Sequence, residues 1–154
     1  MTVTVAPIGV AWHHVTMFDD RSLAFLSEVR FARLATIGRD GFPHNVPIWF
    51  DLETVADGSH DVLFVSDRAA SKTRNALANP RAGVTVGGDR GYACGYLIRG
   101  TITVEDDPGQ VVTHRMIDRY EGGTARATEL REAWEHDDIV VLRLRPTSII
   151  NVWG

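Results

Sequence analysis

Short apolar runs of strand length recur along this chain, separated by turn residues. Residues 31–37 form one run, Gly38-Arg39-Asp40-Gly41 a turn with two glycines, and residues 42–51 the next run. Together they predict a β-hairpin. Asp57-Gly58-Ser59 predicts a turn ahead of a strand at 61–66, and 82–86 predicts a fourth strand. In residues 96–105, Ile98, Gly100, Ile102 and Val104 face one way, and Arg99, Thr101, Thr103 and Glu105 the other. Residues 139–144 predict the last strand, with Arg143 and Arg145 facing out.

Helical spacing occurs between the strands. Asp19 or Asp20 caps a short helix bearing Leu23, Leu26 and Val29. Residues 69–77 predict another, ended by Asn79-Pro80. Asp107-Pro108 opens a helix lined by Val112, Met116 and Tyr120, which Gly122-Gly123 breaks. Thr124 caps a further piece carrying Ala127, Leu130 and Trp134. Residues 1–17 have no clear period, so 1–18 read as an N-terminal arm and 19–154 as one domain. Strands dominate and most connections are short. The expected fold is mainly β (α+β), a six-stranded antiparallel barrel with peripheral helices. Pro43 and Pro47 place the second strand at an edge, bulged or open on one side, because proline cannot donate to a ladder. An open side is where a ligand can dock.

Composition narrows the function. A length of 154 residues suits one core, and a net charge of −4 argues against a nucleic-acid binder. The single cysteine, Cys94, excludes an intrachain disulfide and fits a reducing cytoplasm. No apolar run approaches the ~18 residues of a membrane span, and Met1 to Val10 lacks the pattern of a signal peptide. Of the 16 basic residues only Lys72 is a lysine, which with the abundant Ala, Val, Gly and Asp points to a GC-rich coding bias.

Ser71-Lys72-Thr73-Arg74-Asn75 puts two cations, two hydroxyls and an amide at the start of a predicted helix. Free N–H groups, full charges and hydroxyl donors together suit a phosphate. A solvated basic helix face is the competing account. Asn45, Pro47, Ile48, Trp49 and Phe50 suit a planar ring, since the prolines free backbone groups and the aromatics offer area. Core packing accounts for the same aromatics equally well. His13-His14 lacks metal-ligand spacing, His114 and His136 read as exposed, and Cys94 as a small core residue. Gly87-Gly88 and Gly91 do not make a dinucleotide fingerprint.

Three stretches in order carry a resemblance. Ala35-Thr36-Ile37, Asp40-Gly41-Phe42-Pro43 and Pro47-Ile48-Trp49-Phe50 resemble the opening hairpin of the pyridoxamine 5′-phosphate oxidase-like split-barrel superfamily. Ser71 to Asn75 with Asn79-Pro80-Arg81 is similar to its phosphate-binding helix, and Arg99-Gly100-Thr101 to its fifth strand. The resemblance implies an FMN-binding split-barrel type of fold, a homodimer with cofactor sites at the interface, and FMN or the deazaflavin F420 as cofactor. The Lys-Thr-Arg-Asn core and the composition lean towards the F420-dependent branch. By resemblance, Lys72 holds the cofactor phosphate with Ser71, Thr73, Arg74 and Asn75 nearby. Asn45, Pro47, Ile48 and Trp49 run along the ring system, and Val65 and Ser66 touch the ring or its ribityl chain. Some relatives carry an arginine where this chain has Ala70, so Arg68 or Arg74 is expected to compensate. The implied activity is hydride transfer between the cofactor and a small conjugated or aromatic substrate, with no essential acid or base; Tyr92 or Tyr96 is a possible proton donor with a structural role as its competitor. A non-catalytic flavin or haem binder, with His44 as axial ligand, and a ligand-free structural dimer are the alternatives.

Overall fold

The computed structural model describes residues 17–89 and 94–152. Most of the expected arm, including His13-His14, and Tyr92 lie outside them. The elements are helix α1 (Asp20–Ser27), strands β1 (Ala32–Ile37), β2 (Pro43–Ile48), β3 (Asp51–Thr54) and β4 (His60–Asp67), helix α2 (Ser71–Ala78), strands β5 (Arg81–Gly87) and β6 (Gly95–Asp106), helices α3 (Val111–Glu121) and α4 (Ala125–Trp134), and strand β7 (Ile139–Asn151). The strands form one antiparallel sheet in the order β2-β1-β5-β6-β7-β4-β3.

Seven strands stand where the sequence predicts six, because the run at 42–51 breaks in two at Trp49 and Phe50. Phe50 gives its N–H to the Tyr120 hydroxyl at 3.0 Å instead of to a ladder. The hydroxyl donates to the Arg30 carbonyl at 2.6 Å. The two halves, β2 and β3, become opposite ends of the sheet. The expectation that Pro43 and Pro47 lie on an edge strand therefore holds: β2 pairs only with β1, Pro43 opposite Ile37 and Pro47 opposite Arg33.

Period-two alternation fills the barrel. Leu34, Val84, Ile98, Leu142 and Phe64 belong to one cluster that Phe50 and Ile48 also enter. Phe18, read as part of the arm, is buried in this cluster as well. β4 and β7 are buried on both faces: Leu63 and Val141, of opposite parity to Phe64 and Leu142, are covered where α3 packs on these two strands. Gly100 marks a register shift between β6 and β7, and a Cβ there would sit 2.1 Å from the Arg145 carbonyl oxygen. Only glycine admits so close an approach of two strands.

Helix caps follow local chemistry. Asp19 accepts from the Ser22 N–H at 2.7 Å to start α1. The Asp107 carboxylate accepts from Val112 and Thr113 N–H groups at 3.0 and 2.9 Å to start α3 after a 3-10 turn at Pro108–Gln110. Thr124 differs from the expected cap: its hydroxyl donates back to the Glu121 carbonyl rather than accepting from α4.

Arg143 and Arg145 lie on the outer side of β7 as expected, Arg145 exposed and Arg143 partly so, and both engage the fully buried Asp61. Arg145 Nε donates to it at 2.7 Å and Arg143 Nη1 lies at 3.2 Å. Arg143 also donates to Glu53 at 2.7 Å and Glu105 at 2.9 Å. A buried carboxylate is tolerated only when paired in this way. The hydrogen bond from Arg143 holds the Glu53 carboxyl below its ordinary value, with burial opposing and Arg115 assisting.

A lowered carboxyl pKa stabilises the fold at neutral pH, and that contribution disappears as pH falls below about 4.5 and through the folded value. The melting temperature should therefore drop below about pH 4.5 in wild type, and Glu53→Gln should flatten that drop. Circular-dichroism melts between pH 3 and 7 test this; identical pH profiles for the two chains would exclude Glu53 from the acid response.

Candidate functional site

Helix α2 connects β4 to β5 and is seated by its third and fifth residues, Thr73 and Asn75. Thr73 is fully buried, its hydroxyl 2.9 Å from Ser66 Oγ and 2.8 Å from the Asp67 carbonyl. Asn75 Nδ2 donates to Thr36 Oγ1 of β1 at 3.1 Å. Two of the five residues in the Ser71–Asn75 motif thus anchor the helix to the barrel. The preceding turn is shaped by Asp67, which accepts the Ala69 N–H at 2.7 Å. The N-cap position is Ala70, which has no side chain to spend on the helix, so the first-turn N–H groups keep their donors free of a side-chain cap.

A step of about 100° per residue separates the cations. Lys72 faces a pocket of about 270 Å³ with Val65, Ser66, Asp67, Trp134 and Asp137. Ser71, Arg74 and Asn75 face a different, larger groove of about 700 Å³, bounded on its far side by Arg39, Asp40 and His44. Val65, Ser66 and Lys72 are therefore brought together as the sequence suggests, while Arg74 and Asn75 point elsewhere. Ser66 is buried, donating to the Asp67 carbonyl at 3.2 Å.

Lys72 is half-buried, and among the described residues no carboxylate lies at ion-pairing distance from it. Burial pushes its ammonium below the ordinary lysine value, and the charge of Asp67 only partly offsets this. A desolvated cation gains most from an anion brought beside it. Of the two arginines expected to make up for Ala70, Arg68 is already consumed: it donates to Asp138 at 2.7 Å and Asp106 at 2.5 Å. Among the described residues, Arg74 reaches only Ser71 Oγ, at 3.4 Å.

The strip on β2 divides by parity. Asn45 and Pro47 are exposed on the outer side of the edge strand. Ile48 enters the core. Trp49 lies flat on Tyr120, with centroids 4.7 Å apart and planes 7° apart, and tilts against Trp134 at 6.3 Å. The side chains of Ile48, Trp49 and Phe50 are thus packing residues, the second of the two accounts open at the sequence level. The free edge of β2, rather than an aromatic wall, is what this strand offers to a ligand.

Trp134 and Asp137 are pocket residues that the sequence reading does not single out. They come from the end of α4 and the loop before β7, and Gln110 fixes that end by donating to the Trp134 carbonyl at 2.7 Å. No spacing along the chain links residue 134 to residue 72, so local pattern carries no signal for their meeting. Tyr96 packs edge-on against Phe25 of α1, 5.4 Å between centroids, and burial raises its phenol pKa. It lines neither the Lys72 pocket nor the groove beside it.

The chain is similar to known proteins. A family model described as pyridoxamine 5′-phosphate oxidase matches residues 18–153. The chain belongs to the pyridoxamine 5′-phosphate oxidase family. That family is one of flavin-binding oxidoreductases, and its fold is the one described above. No functionally curated protein matches the chain. Among solved structures, an F420 reductase is 23% identical, with a TM-score of 0.65 over 82% of this chain and 94% of its own. A conserved hypothetical protein, Rv2991 from Mycobacterium tuberculosis, is also 23% identical, with a TM-score of 0.66 over 89% and 85%. A pyridoxamine 5′-phosphate oxidase-related, FMN-binding protein from Nostoc punctiforme is 17% identical, with a TM-score of 0.56 over 85% and 76%. At these identities the family members share the fold with this chain. Among the described residues, no helix is long and apolar enough to cross a membrane.

Removing the phenol oxygen should loosen the wall that Trp49 and Trp134 build. Tyr120→Phe removes the hydroxyl that accepts from the Phe50 N–H and donates to the Arg30 carbonyl. The expected loss is about 1–3 kcal/mol for an unpaired buried group, a drop of several degrees in Tm for a domain of this size. Thermal melts measure it; an unchanged Tm would mean the strand break is held by packing alone.

Proposed function

We propose that this protein is a flavin-type oxidoreductase that binds F420, with FMN as the alternative cofactor, and transfers a hydride between it and a small conjugated or aromatic substrate. The observation that carries the reading is Lys72: a half-buried ammonium with no carboxylate partner among the described residues, in the first turn of a helix without a side-chain cap. A cofactor phosphate answers both the charge and the free N–H groups. Val65 and Ser66 adjoin Lys72 in the same pocket, and the free edge of β2 offers backbone groups to the polar rim of a ring. Bound there, the cofactor would supply the hydride. The protein's own part is to hold the phosphate with Lys72, to orient the ring, and to exclude water.

A pocket of about 270 Å³ holds only part of a flavin-sized ligand. A homodimer with the site at its interface supplies the remaining walls. The apolar side chains left exposed near the β2 edge, Val29 at 58%, Phe31 at 55% and Phe42 at 72%, favour that arrangement. Solved structures similar to this chain include both an F420 reductase and an FMN-binding protein, so both cofactors belong in the test.

The test is a titration of the purified protein with F420 and separately with FMN, followed by tryptophan quenching, alongside light scattering for mass. F420 should bind to a particle of twice the chain mass, and Lys72→Ala should weaken binding at least tenfold, as expected for a charge-assisted contact of about 1.5–3 kcal/mol. Preference for FMN would keep the site and change the cofactor. Binding of neither would overturn the redox reading.

A further inference from the structure

The groove on the other flank of α2 is larger than the Lys72 pocket and differs from it in charge. Arg39 enters it from the β1–β2 turn and Arg74 from the helix, with His44 of β2, Ser71 and Asn75 between them. Its one lining carboxylate among the described residues is Asp40, whose Oδ1 is already engaged by the Phe42 N–H at 3.0 Å. Arg68 and Arg143, by contrast, are consumed by carboxylates, Arg68 by Asp106 and Asp138, Arg143 by Glu53, Asp61 and Glu105. Neither Arg39 nor Arg74 has such a partner among the described residues, although both border the same concavity.

A second, independent feature lies on the third wall. The Nδ1 atom of His44 is buried and makes no hydrogen bond. Buried side-chain polar atoms are paired in folded proteins as a rule; with Nδ1 closed off from solvent, Nε2 is the ring nitrogen left for a ligand in the groove that His44 lines. Its neighbour across the ladder, Thr36, is spoken for, since its hydroxyl accepts from Asn75. Two guanidinium forks, an imidazole and a hydroxyl around one concavity suit the oxygens of a phosphate or a carboxylate.

We propose that this groove is an oxyanion-binding site, taking the phosphate or carboxylate group of a small molecule, and that it is separate from the Lys72 pocket. Arg39 and Arg74 supply the forks, His44 an N–H donor, and Ser71 a hydroxyl. The two sites share helix α2 but use different faces of it, so a ligand with two anionic groups can straddle the helix and a ligand with one can choose.

The test titrates the full-length protein with inorganic phosphate and, in a second arm, with malonate, while nuclear magnetic resonance follows the His44 ring and the Arg39 and Arg74 amides. Saturable shifts with a midpoint on the order of millimolar are expected for so small a ligand. Arg39→Gln and Arg74→Gln should each raise the midpoint about tenfold, and Lys72→Ala should leave it within about twofold, each a ratio that converts by ~1.4 kcal/mol per decade. Both arginines are exposed, so the variants should keep the wild-type Tm, and Arg74→Lys should fall between wild type and Arg74→Gln. Whichever arm saturates names the anion. Shifts that do not saturate in either arm, or that vanish with Lys72→Ala and survive the arginine variants, would overturn the proposal. No flavin enters the experiment, so its failure leaves the cofactor reading standing, and a chain that binds no flavin can still pass it.

Discussion

The Tyr120 hydroxyl accepts the Phe50 N–H and donates to the Arg30 carbonyl, and the geometry of the whole sheet follows from those two bonds. Phe50 lies where a continuous strand would have run on. Once its N–H is taken by a side chain, β2 and β3 part and become opposite ends of the sheet. Arg119, next along α3, ties the same helix to the end of α1 by donating to the Leu26, Ser27 and Glu28 carbonyls at 3.2, 3.1 and 3.0 Å. A cation at a helix C-terminus also complements its dipole. One turn of α3 thereby holds the strand break, the first helix and, through the stacked Trp49, the second hydrophobic cluster with Ile117, Ala127 and Leu130.

That constraint decides what the edge of the sheet can do. An unpaired edge strand exposes backbone donors and acceptors, and proteins usually cover or blunt such edges. Here Pro43 and Pro47 remove two donors, and the remaining groups of β2 are left open. The strand is therefore poor at recruiting another strand, and its open backbone groups are what the proposed cofactor ring would meet. Trp49 and Phe50 cannot provide the flat surface, because one is stacked on Tyr120 and the other is fully buried.

Apolar runs bounded by turn residues were enough to locate most strands, and Asp19 and Asp107 announced their helices because capping is local chemistry. The break at Trp49-Phe50 was not legible, since its cause is a phenol seventy residues further on. The same reason hides what Arg143 and Arg145 bind: alternation placed them opposite the core-facing residues, where they lie, but their partner Asp61 is more than eighty residues away in the chain. At the site, residue type was legible and direction was not. Ser71 to Asn75 reads as one basic cluster along the chain. In three dimensions the helical step assigns Thr73 and Asn75 to anchoring, Lys72 to one cavity and Arg74 to another.

This division has a physical consequence for how the family's chemistry can vary. An eight-residue helix has only about two turns, so each face holds two or three side chains. If all the cations lay on one face they would repel one another and compete for one anion. Spread over two faces and held by Thr73 beneath, they charge two separate cavities without mutual cost beyond what solvent screens. The walls of those cavities come from distant parts of the chain: the α4–β7 connection with Trp134 and Asp137 on the Lys72 side, the β1–β2 turn with Arg39 and Asp40 on the other. Loops and helix ends of this kind tolerate substitution far better than the barrel that carries them. Ligand choice can therefore change at residues 39, 134 and 137 while the anchor of α2 on Ser66 and Thr36, and the latch at Tyr120, stay as they are.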